Sequence, residues 1–155
     1  MTLKNLDYLY GLNKMKFDFL PHTADIKFRA FGETLEECFK NAAYALTNIV
    51  VKEKIKPVIK KKIRVKAKKI ESLLYDFLSE IIYHLDADDF LLSKISKLEI
   101  IGLSGKKRHY ELIADLEGDN VKNYKTELIV KAITYSEMFI KQENGKFTCQ
   151  IVVDV

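Results

Sequence analysis

The sequence has 155 residues, a length typical of one domain, and it is 48% hydrophobic and 31% charged. This composition excludes an intrinsically disordered chain, because it supplies enough apolar surface for a folded core. The net charge of +4 is a mild basic excess that permits RNA contact without indicating a dedicated nucleic-acid binder. No uncharged segment is long enough to span a bilayer and no signal-peptide pattern is present, so we expect a cytoplasmic protein with no membrane partner.

The first 16 residues show no clear periodicity and are predicted to be an N-terminal extension of unassigned role. The predicted domain therefore covers residues 17–155. Near its start, apolar and polar residues alternate from Ala24 to Ala30. This period of two predicts a strand with one buried face, and Gly32 is predicted to end it.

Two helices are predicted from apolar residues that recur at steps of three and four. The first begins at Thr34, which matches a capping box with Glu37, and its apolar face runs from Leu35 to Val50. The second has its apolar face between Leu73 and Leu85, and the acidic run at residues 86–89 ends it. A calcium loop is disfavoured at this run, because it lacks the central Gly and terminal Glu of an EF-hand.

The rest of the sequence shows strand patterns. Between the helices, an amphipathic strand has a basic outer face formed by Arg64, Lys66 and Lys68. Further strands are predicted at Ile95–Leu103, Tyr110–Leu116, Leu128–Tyr135, Met138–Ile140 and Phe147–Val153. Asn144-Gly145 favours a hairpin between the last two strands. This order predicts an α+β fold, a two-layer sandwich of two helices packed on a mainly antiparallel, twisted sheet.

Acidic residues stand at two predicted strand ends. Asp25 starts the first strand, where it either bonds neighbouring backbone groups or, oriented by His22 or Thr23, offers a hard oxygen ligand. The sequence stops at Asp154 and Val155, which form either a solvated chain end or a second set of acidic oxygens. If the two strand ends meet, three negative groups converge and favour a divalent cation.

Lys131 interrupts an apolar run, Leu128–Ile133, which is predicted to be a central strand buried on both faces. A lysine in that place either snorkels from an exposed strand end or pairs with an acid such as Asp25, Asp154 or Glu33. The sequence leaves both alternatives open.

Several familiar chemistries are missing from the sequence. Cys38 and Cys149 have no metal-ligand spacing and are predicted to be buried free thiols. Glycine-rich phosphate loops, a nucleophile elbow and the HExxH spacing are all absent, which disfavours hydrolase and protease activities.

Four segments, taken together, carry a resemblance to a known family. They are PHTADIKFRAFGETLEECFKNAAYAL from residue 21, ESLLYDFLSEIIYHL from residue 71, KAITYS from residue 131 and VVDV from residue 152. In this order, over residues 17–155, the sequence resembles the archease family. The resemblance implies an accessory activator of the GTP-dependent tRNA-splicing RNA ligase. Such a protein is not itself an enzyme, and it promotes guanylylation of the ligase and multiple turnover in tRNA splicing.

The resemblance also implies partners and a metal site. The partners are the tRNA-splicing RNA ligase in a transient complex, tRNA through the ligase, and GTP in the ligase pocket. Asp25, Asp154 and Val155 look like the family's divalent-cation site, with calcium, magnesium or manganese as the candidate ions.

Further residues are similar to positions implied in activation or ligase contact. Lys131 of KAITYS looks like a family lysine important for activation. Glu33 stands where other members carry Asp, and His22 and Thr23 belong to the PHTAD segment. Ser136 replaces a His found in many archaeal relatives, so the role of that His is not carried over.

Two other classes of protein remain open. The first is an RNA-binding module that acts with RNA-modification enzymes through Arg64, Lys66 and Lys68, although these residues also suit an ordinary solvated strand face. The second is a metal-dependent chaperone, which would hold its substrate without any ligase.

Overall fold

The computed structural model describes residues 15–103 and 109–155, so most of the predicted N-terminal extension, residues 1–14, lies outside the described residues. The main elements, in chain order, are β1 (Phe17–Leu20), β2 (Ile26–Gly32), α1 (Leu35–Val50), β3 (Ile59–Ala67), α2 (Ile70–Asp88), β4 (Phe90–Leu103), β5 (His109–Asn120), β6 (Ala132–Glu143) and β7 (Lys146–Asp154). A short 3-10 helix at Val121–Asn123 follows β5.

The strands form two antiparallel sheets. One has four strands in the order β1-β2-β7-β6, and the other has three strands in the order β3-β5-β4. In the four-stranded sheet, β2 and β7 are central, and their register pairs Ile26 with Val153 and Gly32 with Phe147. The predicted α+β fold, with two helices packed on antiparallel strands, is confirmed, and the strands are divided between two sheets.

Each helix packs against both sheets. Helix α1 lies on β2 and β4, whereas α2 lies on β6, β3 and β4. Between the helices, the rings of Phe39 and Phe77 are fully buried and stack with their centroids 6.1 Å apart. Burial of each such side chain stabilises the fold by about 1.5–3 kcal/mol, so the helices hold the two sheets together through one core.

The predicted boundaries of both helices are close to the observed ones. Helix α1 is capped by Thr34, whose Oγ1 accepts a hydrogen bond of 3.1 Å from the Glu37 N–H. The Glu37 carboxylate accepts from the N–H of Glu33, at 3.4 Å. Helix α2 ends at Asp88, and Asp89 then adopts a left-handed backbone with φ of 56°.

The predicted strand Leu128–Tyr135 is confirmed from Ala132 onward, whereas its first four residues and its burial on both faces are wrong. Strand β6 begins only at Ala132 and lies at an edge of the four-stranded sheet, while Leu128 and Ile129 are 45% and 69% exposed. The segment before β6 is bonded to a helix end, because the Glu127 N–H donates to the Val50 carbonyl at 2.8 Å. A short apolar run is compatible with strand or loop, and here backbone pairing with α1 decides for the loop.

Other expectations fare differently. The predicted separate strand Met138–Ile140 is part of β6, which continues to Glu143 before the hairpin. The hairpin itself is confirmed, with positive φ at Asn144 and Gly145.

Cys38 and Cys149 are buried free thiols, as predicted. Within the described ranges, neither helix has both the length and the apolar character needed to cross a bilayer.

Candidate functional site

The register of β2 and β7 brings Asp25 and Asp154 to the same end of the four-stranded sheet. Asp25 directly precedes β2, Asp154 ends β7, and the last pair between these strands is Ile26 with Val153. In an antiparallel pair the next residues outward are also neighbours. Asp25, Asp154 and Val155 are all half-buried. The three predicted cation ligands therefore lie at one sheet end, which we call the acidic end.

A tight turn positions Asp25. The Asp25 N–H donates to the carbonyl of Thr23 at 2.8 Å, and Ala24 between them has a φ of 69°. A hydrogen bond that spans three residues with positive φ at the centre is typical of a γ-turn, which is rare and strained for a residue with a side chain. Because residue 24 is alanine and not glycine, the sequence does not indicate a positive φ here, and the turn could not be predicted from it.

Glu137 is a residue of this region that the sequence did not single out. Its Oε2 lies 3.0 Å from Nε2 of His22, and its Oε1 lies 3.6 Å from Nζ of Lys27. The hydrogen bond with His22, followed by the charge of Lys27, lowers the pKa of Glu137. Its own carbonyl accepts from the Gln150 side-chain amide at 2.8 Å. Glu137 thus fixes the segment that carries His22.

A bulge in β6 lets Glu137 reach this segment. The register between β6 and β7 shifts between Thr134 and Phe139, and Glu137 within the bulge has a φ of 53°. Since β7 lies between β6 and β2, the Glu137 side chain has to cross β7 to meet Lys27 of β2. Bulges commonly redirect a side chain in this way.

Lys131 lies at the acidic end but is exposed. Its N–H donates to the carbonyl of Asp154 at 2.8 Å, immediately before β6 begins. Its ammonium forms no ion pair with any residue in the ranges that the structure describes. Of the two alternatives that the sequence leaves open, the structure has the exposed strand end and not the buried, paired lysine. The reason is that Lys131 lies at the exposed start of β6, which is an edge strand of the sheet.

The structure does not bring Glu33 to the acidic end. Glu33 follows Gly32, at the opposite end of β2 from Asp25, and a strand of that length separates them by about 20 Å. The remaining candidates are His22, held by Glu137, and Thr23, which contributes its carbonyl to the turn. Ser136 is exposed within the β6 bulge.

The donor set of the acidic end suits a hard divalent cation. Neither Asp25 nor Asp154 has its charge balanced by an ion pair in the described part of the chain. Carboxylate and main-chain oxygens are the ligands that calcium, magnesium and manganese prefer. Across residues 15–103 and 109–155, no three side chains of His, Cys, Asp or Glu are grouped to hold a metal. A cation bound here would need further oxygen ligands from the main chain, such as that of Val155, or from water.

The basic face of β3 is partly neutralised by its neighbour β5. Lys62 lies 3.6 Å from Asp115, and Arg64 lies 3.3 Å from Glu111. Lys66 stands opposite the same Glu111 in the strand register. This face is therefore a ladder of alternating charges across two strands, which is unsuited to binding a phosphate backbone.

Fold and site together define a class of protein: a small two-layer α+β domain with an acidic, oxygen-rich sheet end. The Archease protein family (MTH1598/TM1083) matches residues 17–155, and the chain belongs to this family. Protein archease of Methanosarcina mazei is 35% identical over 143 residues, covering 90% of this chain and 96% of that protein.

Solved structures are similar as well. The solution structure of Methanobacterium thermoautotrophicum protein 1598 superposes with a TM-score of 0.78 at 29% identity, covering 90% of this chain and 99% of that one. The crystal structure of a Thermotoga maritima protein described as an archease, possible chaperone, gives a TM-score of 0.60 at 18% identity, with coverages of 88% and 94%. The latter similarity concerns the fold alone.

Proposed function

We propose that this protein is an accessory activator of the GTP-dependent tRNA-splicing RNA ligase, promoting ligase guanylylation and multiple turnover. It is a protein cofactor and not the ligase, and we assign its action to the cytoplasm. The single observation that supports the proposal is the β2–β7 register in a member of the archease family, in which Ile26 and Val153, the neighbours of Asp25 and Asp154, form the last pair.

In this proposal the residues of the acidic end have separate tasks. Asp25, Asp154 and an oxygen of Val155 bind a divalent cation, which when bound supplies positive charge to position a phosphate group. The γ-turn at Ala24 fixes the direction of Asp25, and Glu137 holds His22 beside it. Positioning of this kind accelerates a reaction without covalent chemistry by the accessory protein.

Lys131 is the proposed contact with the ligase. Its ammonium is exposed and has no ion pair in the described residues, so it is available to an acidic or phosphate group of a transient partner. GTP is bound in the ligase pocket, and tRNA contacts the complex through the ligase.

The test is a guanylylation assay with the cognate ligase, GTP, a divalent metal and a substoichiometric amount of this protein. We expect the wild-type protein to accelerate guanylylation and Asp25→Asn or Asp154→Asn to lose about tenfold or more of that acceleration. Glu143→Gln is the matched control, because Glu143 is an exposed carboxylate at the hairpin end of β6, whereas Ala132 at the opposite end of that strand pairs with Asp154. Full acceleration by the folded Asp25→Asn variant would refute the proposal.

A metal-dependent, chaperone-like activity is the second candidate function. It is favoured by the exposed apolar side chains of Leu128 and Ile129 beside Lys131, since exposed apolar groups of this kind often contact other proteins. Protection of an unrelated unfolded enzyme from aggregation, in the absence of the ligase, would support it. The charge ladder on β3 and β5 gives no comparable support to an RNA-binding module.

A further inference from the structure

The structure contains a cavity of about 530 Å³ that shares no lining residue with the acidic end. It lies between the C-terminal half of α1, the loop that follows α1, the start of β1, and β4. The cavity is open to solvent, so a ligand bound in it would stay partly exposed. The cavity therefore merits a chemical interpretation of its own.

The charge of the cavity is strongly positive. Four lysines line it: Lys16, Lys52, Lys54 and Lys94. Among the described residues that line it, the single carboxylate is that of Glu53, and its Oε1 accepts a hydrogen bond of 3.0 Å from the Lys125 N–H. None of the four ammonium groups forms an ion pair with another described residue. The described lining of the cavity thus carries an excess of positive charge.

This distribution contrasts with that of the more conspicuous basic segment of the sequence. On and beside β3, Lys62 and Arg64 are paired with acids of β5, and Lys61 lies 3.0 Å from Asp88 of α2. An anion approaching β3 meets carboxylates beside the lysines. An anion approaching the cavity meets four ammonium groups and, among the described residues, one carboxylate.

The cavity also has an aromatic and polar wall. Phe17 and Tyr44 line it, and the Lys16 ammonium lies 5.5 Å from the centre of the Tyr44 ring. The Tyr44 hydroxyl accepts a hydrogen bond of 3.0 Å from the Ile95 N–H, and burial raises the pKa of this tyrosine, so its ring stays neutral. Asn48 and Ser93 add hydrogen-bonding groups to the wall.

Aromatic surface beside clustered ammonium groups suits one chemical class of ligand. A nucleobase packs on an aromatic ring, and its phosphate groups attract lysines. We propose that the lysine-lined cavity binds the phosphate group of a nucleotide, presented either as a free nucleotide or within a single RNA strand. This proposal is independent of the ligase-activating function assigned to the acidic end.

The test uses two probes, GTP and a 5′-phosphorylated single-stranded RNA decamer, titrated separately into the full chain and followed by NMR at the amides of Tyr44 and Ser93. The variant is Lys54→Gln with Lys94→Gln, both exposed side chains. The matched control, Lys62→Gln with Lys66→Gln, removes the same charge from β3. We expect binding to weaken by about tenfold or more in the cavity variant and by less than about twofold in the control.

The two probes separate the sources of the phosphate. Binding of GTP with this dependence supports a free nucleotide as the ligand, and binding of the decamer alone supports an RNA strand. Equal loss of affinity in both variants would show diffuse attraction to a basic protein and would overturn the proposal. If neither GTP nor the decamer bound at millimolar concentration, the proposal would be overturned as well.

Discussion

Two residues beside the acidic end adopt left-handed backbone conformations without being glycine. Ala24 has a φ of 69° and Glu137 has a φ of 53°, and each costs the fold on the order of 1–3 kcal/mol. One sets the turn before Asp25, and the other directs a carboxylate to His22. Backbone strain of this kind clusters where side chains must be held in a defined direction. Both residues thus support the same short segment.

The contacts of Glu137 predict a pH effect. Its pKa is lowered from the usual 4.5, chiefly by the hydrogen bond with His22, so its stabilising contribution is complete at pH values above 4.5. The contribution is lost as the pH falls through the lowered value, because protonation removes the charge that His22 and Lys27 contact. We expect Glu137→Gln to lower the urea midpoint at neutral pH and to reduce the further decrease seen on acidification.

Glu143→Gln serves as the control for this measurement. Glu143 is exposed at the end of the same strand and has no ion pair in the part of the chain that the structure describes. Its midpoint should follow that of the wild type from neutral to acidic pH. If Glu137→Gln also followed the wild type, the contact with His22 would contribute no measurable stability.

At the scale of elements, the sequence pattern predicts what local chemistry determines. The first helix follows from Thr34 and its apolar face, and the last hairpin follows from Asn144-Gly145. The loop at residues 125–131 does not, because its main-chain bond to Val50 joins residues far apart in the sequence. The bulge that carries Glu137 could not be predicted from the sequence either, since no glycine stands at its left-handed position.

In the candidate site, too, the residues can be predicted from the sequence but their arrangement cannot. Asp25 and Asp154 are predictable because both stand at strand ends and carry oxygen ligands. Their adjacency depends on the register of β2 with β7, which is a long-range property. Glu33 is separated from them for the same reason, because a strand places its two ends far apart.

Gly118 of β5 lies where the chain leaves no space for a side chain. A Cβ at this position would overlap the Leu91 carbonyl oxygen and the Phe90 ring of β4, and the Gly118 carbonyl also accepts from the Val58 N–H at 2.8 Å. We expect Gly118→Ala to reduce the free energy of unfolding by about 2 kcal/mol or more, because neither backbone segment yields easily. Urea denaturation followed by circular dichroism measures the change.

Gly102→Ala is the matched control in the same sheet. A Cβ at Gly102 would meet only the Tyr110 ring, at an ordinary contact distance of 3.6 Å. We expect its free energy of unfolding to change by less than about 0.5 kcal/mol. Similar losses in both variants would mean that glycine is required in these strands for another reason than space.

At the scale of the whole molecule, the helices join the two sheets into one cooperative unit. Phe77 of α2 is fully buried and stacks on Phe39 of α1. We expect Phe77→Ala to cost about 3–5 kcal/mol and to lower the protection of both sheets together. Hydrogen exchange at Leu112 of β5 and Ile151 of β7 reports on the two sheets separately.

Tyr83→Ala is the control on the same helix. Tyr83 is 59% exposed, so its truncation should change the free energy of unfolding by less than about 0.5 kcal/mol. Loss of protection in only one sheet of the Phe77→Ala variant would show that the sheets unfold independently.

The position of β7 bears on how the molecule is assembled during synthesis. The strands β3, β4 and β5 are consecutive among the strands and complete their own sheet. Strand β2 pairs with β1 and β7, and its pairing with β7 is possible only after β7, which follows every other described element, has been made. Because chains emerge from the N-terminus, the helices and the three-stranded sheet are available to fold first. Asp25 then remains without its neighbour until Asp154 has been made. The acidic end therefore forms only in chains that have been translated as far as Asp154.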